Sequence, residues 1–201
     1  MIRRTIYFLL LFTLLEFTAS AQKVKYKDLF ILLSAKQYEQ AEPYLKKYLK
    51  ENDDNPNADL FMGTIYHEKS GKNDMLLQTE LMLLNMDSAV FFYDKANKGL
   101  TEKEIKRNEE YYEAYSRRDL RTGKFEIKLS DVKFDMEKRI QGLNDRKTKI
   151  KTLVAQYHSA ESAYGKVSKA FSIVQDSFPG VKEFYLRADK KLIEDLKSIT
   201  S

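Results

Sequence analysis

Between Pro56 and Pro179 the chain contains no proline, and the second half of that interval carries an apolar seam that only a long helix can present. Val132, Met136, Ile140, Leu143, Ile150, Leu153, Tyr157, Ala160, Tyr164, Val167, Phe171 and Val174 recur mostly at steps of three and four, close to the seven-residue repeat of packed helices. Lys147 occupies the one core position between Leu143 and Ile150, Gly142 weakens the helix locally, and Ser130 is placed to cap it. Pro179-Gly180 breaks the pattern. Val181, Phe184, Tyr185, Ala188, Leu192, Leu196 and Ile199 then repeat it, which predicts a shorter returning helix and hence a helical hairpin. With 7 glycines, 3 prolines and 32% charged residues in the whole chain, the expected class is all-α.

The front half reads as shorter helix pairs. "YKDLFILLSA" (Tyr26 to Ala35) is one apolar helical segment. "KQYEQAEPYLKKYLKEN" then places Tyr38, Ala41, Tyr44, Leu45, Tyr48 and Leu49 on one face, with Pro43 expected in the first turns, where its missing N–H costs little. "NDDNPN" separates this pair from the next, in which Leu60, Phe61, Gly63, Ile65 and Tyr66 precede a turn at Ser70 to Asp74. "MGTIY" (Met62 to Tyr66) resembles the Leu-Gly-x-x-Tyr core of a tetratricopeptide repeat, and "YEQAEPYL" is similar to that family's Tyr-x-x-Ala-x-x-x-Phe second helix. The resemblance covers roughly residues 26–97. It implies stacked αα-hairpins, with Gly63 as the small residue that lets two helices approach. The chain departs from the family at Leu29, where a small residue is expected. It also departs at "MLLQTELMLLNM", an added segment that either lengthens the next helix or forms another.

At the N-terminus, Arg3 and Arg4, an apolar run from Thr5 to Leu15 and a small-residue end at Ala19-Ser20-Ala21 match a secretory signal. A membrane-spanning helix needs about 20 apolar residues, and Glu16 interrupts this run early. The expectation is therefore residues 1–21 as a cleaved signal, 22–100 as the repeat region and 101–201 as the long hairpin, with no transmembrane span in the mature chain. The Ala-x-Ala site looks like that of an exported bacterial protein, which places the product in the periplasm or cell envelope. The chain has no cysteine, so it uses no disulfide, thiol nucleophile, thiolate-bound metal or lipidated cysteine.

Removing Arg3, Arg4 and Glu16 with the signal takes the formal charge from +5 to +4, too little and too dispersed for a nucleic-acid partner. The local peak is "RRDLRTGK", with Arg117, Arg118, Arg121 and Lys124 as a candidate basic surface. Thr101 with Glu104 three residues later forms a capping-box pattern and predicts a charged helix that runs on to Gly123. Within it, Tyr111, Tyr112 and Tyr115 lie too close together to share one narrow face. Phe125, Ile127 and Leu129 alternate as in a strand, yet no second strand signal accompanies them, so 124–129 is expected to be either an extended linker or an irregular helix start, with an edge for partner strand addition the weaker reading.

Catalytic patterns are wanting. His67-Glu68 begins the His-Glu-x-x-His of zinc peptidases, whose two histidines share one helix face, but Gly71 stands at the second position. The other histidine, His158, is far away. No glycine-flanked serine elbow or phosphate-cradling glycine loop occurs. The expectation is a non-enzyme with no cofactor and no metal, acting as an exported scaffold or adaptor for a protein or peptide partner. Tyr38, Tyr44, Tyr66 and Tyr93 are the candidate partner-binding residues, since tyrosine suits interfaces. Two alternatives stand beside it: a homo-oligomer formed through the seam 130–199, and a binder of anionic envelope polymers through the basic residues.

Overall fold

The computed structural model describes residues 24–177 together with Glu194 and Lys197. The expected signal segment 1–21, and all but those two residues of the expected returning helix, lie outside the described residues. The described chain is all-α apart from one minimal β-hairpin. Its elements are α1 (Tyr26–Ser34), α2 (Tyr38–Glu51), α3 (Pro56–Lys72), α4 (Thr79–Gly99), α5 (Glu102–Arg107), β1 (Arg117–Arg118), β2 (Phe125–Glu126) and α6 (Leu129–Ser177). Among the described residues no helix is long and apolar enough to cross a membrane.

Local chemistry sets most of the boundaries. Lys36, at φ 57°, reverses the chain between α1 and α2. Pro43 lies inside α2, in its second turn. Asn55 caps α3 by accepting from Ala58 N at 3.0 Å, and Pro56 follows at the first helical position, where its fixed φ and missing donor cost nothing. Gly71 falls within the last turn of α3, and the turn that follows is closed by Asp74, whose Oδ1 accepts from Leu76 N and Leu77 N. The added apolar segment lengthens α4 rather than forming a helix of its own. Thr101 accepts from Glu104 N at 3.2 Å, the expected cap.

Successive helices pack antiparallel around α4. Asp59 meets Lys95 across α3 and α4, and Asn73 meets Asn85 at the other end of the pair. Gly63 makes room for the Tyr93 ring of α4: a Cβ there would lie 2.7 Å from it, well inside van der Waals contact. On its other side α4 packs against α6, with Arg139 beside Tyr93 and Lys147 paired to Asp87. Met82, Met86, Ala89, Tyr93 and Ala96 of α4, buried between the two neighbours, form one core with Val132, Met136, Leu143 and Ile150 of α6. A second core joins α1, α2 and α3 through Leu29, Leu33, Ala41, Leu45, Met62 and Ile65. Full burial of each large aliphatic side chain contributes about 1.5–3 kcal/mol.

Three expectations are corrected between Gly99 and Val132. The helix capped by Thr101 stops at Arg107 instead of running to Gly123, and two 3-10 turns follow at Glu109–Tyr111 and Glu113–Tyr115. The tighter winding changes which side chains point inward, so Tyr112 is buried while Tyr111 and Tyr115 both pack against a core. Phe125–Glu126 is neither an unpaired linker nor a helix start but a strand, paired with Arg117–Arg118 in the register Arg117↔Glu126 and Arg118↔Phe125. Ser130 does not cap α6; the helix begins at Leu129, with the Lys128 carbonyl accepting from Asp131 N and Val132 N.

Candidate functional site

Tyr93 is fully buried in α4 and sits at the meeting point of three helices. Its hydroxyl lies 3.3 Å from Thr64 Oγ1, 3.4 Å from His67 Nδ1 and 3.5 Å from an Arg139 guanidinium nitrogen. Arg139 Nε donates to Asp135 Oδ2 at 2.7 Å, and Tyr115 Oη donates to the same oxygen at 2.8 Å. Burial, with Arg139 and Arg146 nearby, lowers the His67 pKa, so the imidazole is neutral at pH 7. Burial and the Asp135 carboxylate raise that of Tyr115, so its hydroxyl stays protonated and donates. The group ties α3, α4, α6 and the second 3-10 turn together, an interior role for Tyr93 rather than a place on a groove.

The other candidate tyrosines are spread. Tyr66 stacks on Phe92 at 5.8 Å between ring centres, and Lys46 and Lys69 lie over its face. Tyr38, half-buried, lines a cleft of ≈ 200 Å³ with Glu39, Glu42, Ile65, Glu68, Lys69 and Lys72, below the roughly 300 Å³ at which ligand pockets begin. Glu42 in that cleft is held by Lys46 at 2.7 Å and Lys69 at 2.6 Å. Burial alone would raise its pKa, but the two ammonium groups outweigh it and lower the value. Tyr44 points to solvent, away from these contacts. The structure thus brings Tyr38 and Tyr66 each near Lys69, hides Tyr93 and leaves Tyr44 apart.

The four basic candidates share one hairpin but not one face, since Arg117 lies opposite Glu126 and lines a cleft with Asp131 and Asp135 of α6. Arg117 and Arg118 form β1, Arg121 and Lys124 belong to the connecting turn, and all are exposed.

A larger surface lies on α6, where Met136, Leu143, Ile150, Tyr157, Tyr164 and Phe171 stand exactly seven residues apart in one column. The first three are buried against α4; Tyr157, Tyr164 and Phe171 are 46%, 75% and 65% exposed. Burial stops where α4 does. The pairs Tyr93–Arg139 and Asp87–Lys147 bring Thr79, the first residue of α4, level with Val154. Beyond His158 the helix runs for roughly 28 Å past the other described elements packed on it. At the base of this stretch the turn before α4, the start of α4 and α6 border an open groove of ≈ 560 Å³ lined by Leu76, Leu77, Leu81 and Val154 together with the polar Gln78, Thr79, Glu80 and His158, with Leu77 87% exposed.

No family model, curated protein or solved structure matches the chain.

The leucines at 76, 77, 81 and 84 were not among the residues expected to meet a partner. A signal for them exists in "MLLQTELMLL", which holds more apolar residues than one helix face can bury; Leu84, like Leu77, is left in solvent.

Proposed function

We propose that this chain is an exported, non-enzymatic scaffold or adaptor of the bacterial cell envelope, working by protein binding through the exposed part of α6 and the leucine groove at its base. The observation that carries the reading is the heptad column that passes from core to solvent without changing character. A contiguous exposed apolar surface of this kind marks an interaction site, and a helix face repeating every seven residues suits another helix. Export rests on the N-terminal pattern of Arg3, Arg4, the apolar run and Ala19-Ser20-Ala21.

The same column supports a second reading, self-association through α6. One set of variants separates the two. Tyr157→Glu, Tyr164→Glu and Phe171→Glu combined leave the helical content of the body unchanged, because none of these side chains packs in either core. Under the adaptor reading the parent chain is monomeric by light scattering and retains envelope proteins that the triple variant releases. Under the self-association reading the parent is oligomeric and the variant monomeric. A monomeric parent whose captured proteins are undiminished by the three glutamates removes α6 as the binding surface.

A further inference from the structure

The hairpin Arg117–Glu126 combines two properties that a soluble partner surface rarely shows together. Leu120, at its tip, is 98% exposed and Phe125 72% exposed, and Arg118, Arg121 and Lys124 are exposed beside them, whereas Arg117, paired with Glu126, lies on the other face of the ladder and lines a cleft with Asp131 and Asp135.

This tip is built, not loose. Asp119 Oδ1 accepts from both Arg121 N and Thr122 N at 2.8 Å, and its Oδ2 lies 3.3 Å from Lys128 Nζ. Asp119 N donates to the Lys124 carbonyl and Gly123 N to that of Asp119, each at 2.8 Å. Gly123 takes the positive φ, 71°, that the turn requires. At its base, buried Tyr112 and the Tyr115–Asp135 hydrogen bond on one side, and Ile127 and Leu129 on the other, fix the hairpin to the core. Asp119 thus holds the turn closed and pairs with Lys128, and a leucine is presented outward by a fixed backbone.

We propose that this hairpin docks on the surface of an anionic phospholipid bilayer, Leu120 entering the apolar region and Arg118, Arg121 and Lys124 resting on the headgroups. Cations alone would serve any polyanion. An exposed leucine at the apex gains nothing from a hydrated polymer, whereas it gains burial among acyl chains, and arginine and lysine stems reach back to the headgroup level. This surface lies at the start of α6, away from Tyr157, Tyr164 and Phe171, so it is tested independently of the adaptor reading.

Because the chain has no cysteine, Leu120→Cys gives a single attachment point for an environment-sensitive fluorophore in the full chain. A label at Ser162→Cys, exposed on α6 about 50 Å from its start, serves as the reference, and residues 1–21 are common to both. Adding phosphatidylcholine vesicles that contain phosphatidylglycerol is expected to blue-shift and brighten the label at position 120, and to leave the one at 162 unchanged. Vesicles of phosphatidylcholine alone are expected to do neither. Arg121→Gln with Lys124→Gln raises the lipid concentration at half-effect roughly 25-fold, about fivefold for each cation. No spectral change at position 120, an equal change with neutral vesicles, or an equal change with soluble heparin overturns the proposal, the last in favour of an anionic polymer.

Discussion

Asp59 is buried at 2% exposure with Lys95 Nζ 3.2 Å away. Burial pushes its carboxyl up to about 6, more than the hydrogen bond and charge of Lys95 pull it down. An unfolded aspartate titrates near 3.9, so between about pH 4 and pH 6 the folded chain binds more protons than the unfolded one. Stability therefore falls as pH rises through that window, by up to about 3 kcal/mol, and is level above it as far as this group is concerned. Asp59→Asn removes the dependence. Thermal melts are expected to show the variant matching its parent near pH 4 and exceeding it increasingly toward pH 7; a difference that does not change with pH contradicts the assignment. Asp59 was not legible in the sequence, where an acid in the first turn of a helix is an ordinary partner for the helix dipole. Gly63 was, because a single small residue among Met62, Ile65 and Tyr66 has few reasons to be there besides close helix approach.

On the scale of elements, α6 provides an internal comparison, since Leu143 and Tyr164 occupy the same column in different surroundings. Leu143→Ala is expected to cost about 2–5 kcal/mol in urea unfolding, and Tyr164→Ala to fall within about 0.5 kcal/mol of the parent. Equal effects would mean that the exposed half is packed as tightly as the buried half. The seam itself could be read from spacing alone. Where its burial stops could not, because that depends on where Thr79 falls along α6, a consequence of antiparallel packing between distant segments. The β-hairpin was missed for a different reason. Two residues per strand leave no measurable period, and its stability comes from the Asp119 turn and from Tyr112, Ile127 and Leu129 holding its ends. "RRDLRTGK" does contain the turn chemistry, an aspartate followed four residues later by glycine, but its mixed charge suits a solvated helical face as well as a turn.

At the scale of the whole molecule, the two cores are not separate bodies: Tyr66 and Tyr111 pack against both, and Tyr26, Asn57 and Tyr111 are joined by hydrogen bonds across the boundary. The described chain is expected to unfold as one unit. Leu33→Ala in one core and Met86→Ala in the other should each move a single transition, coincident by far-ultraviolet circular dichroism and tyrosine fluorescence; separate midpoints for the two probes would make the cores independent. The all-α class was legible because breakers are scarce over so long an interval, whereas the junction between cores rests on tyrosines whose inward direction is set by 3-10 turns. The exposed half of α6 carries one more consequence. In a straight α-helix a column repeating every seven residues slips by about 20° per heptad, so from Tyr157 to Phe171 the apolar stripe winds around the helix by about 40°. Any helix that follows the stripe must coil around α6 in a left-handed sense, crossing at roughly 20°. The handedness of a helical complex formed there is thus already set by the spacing of three aromatic residues.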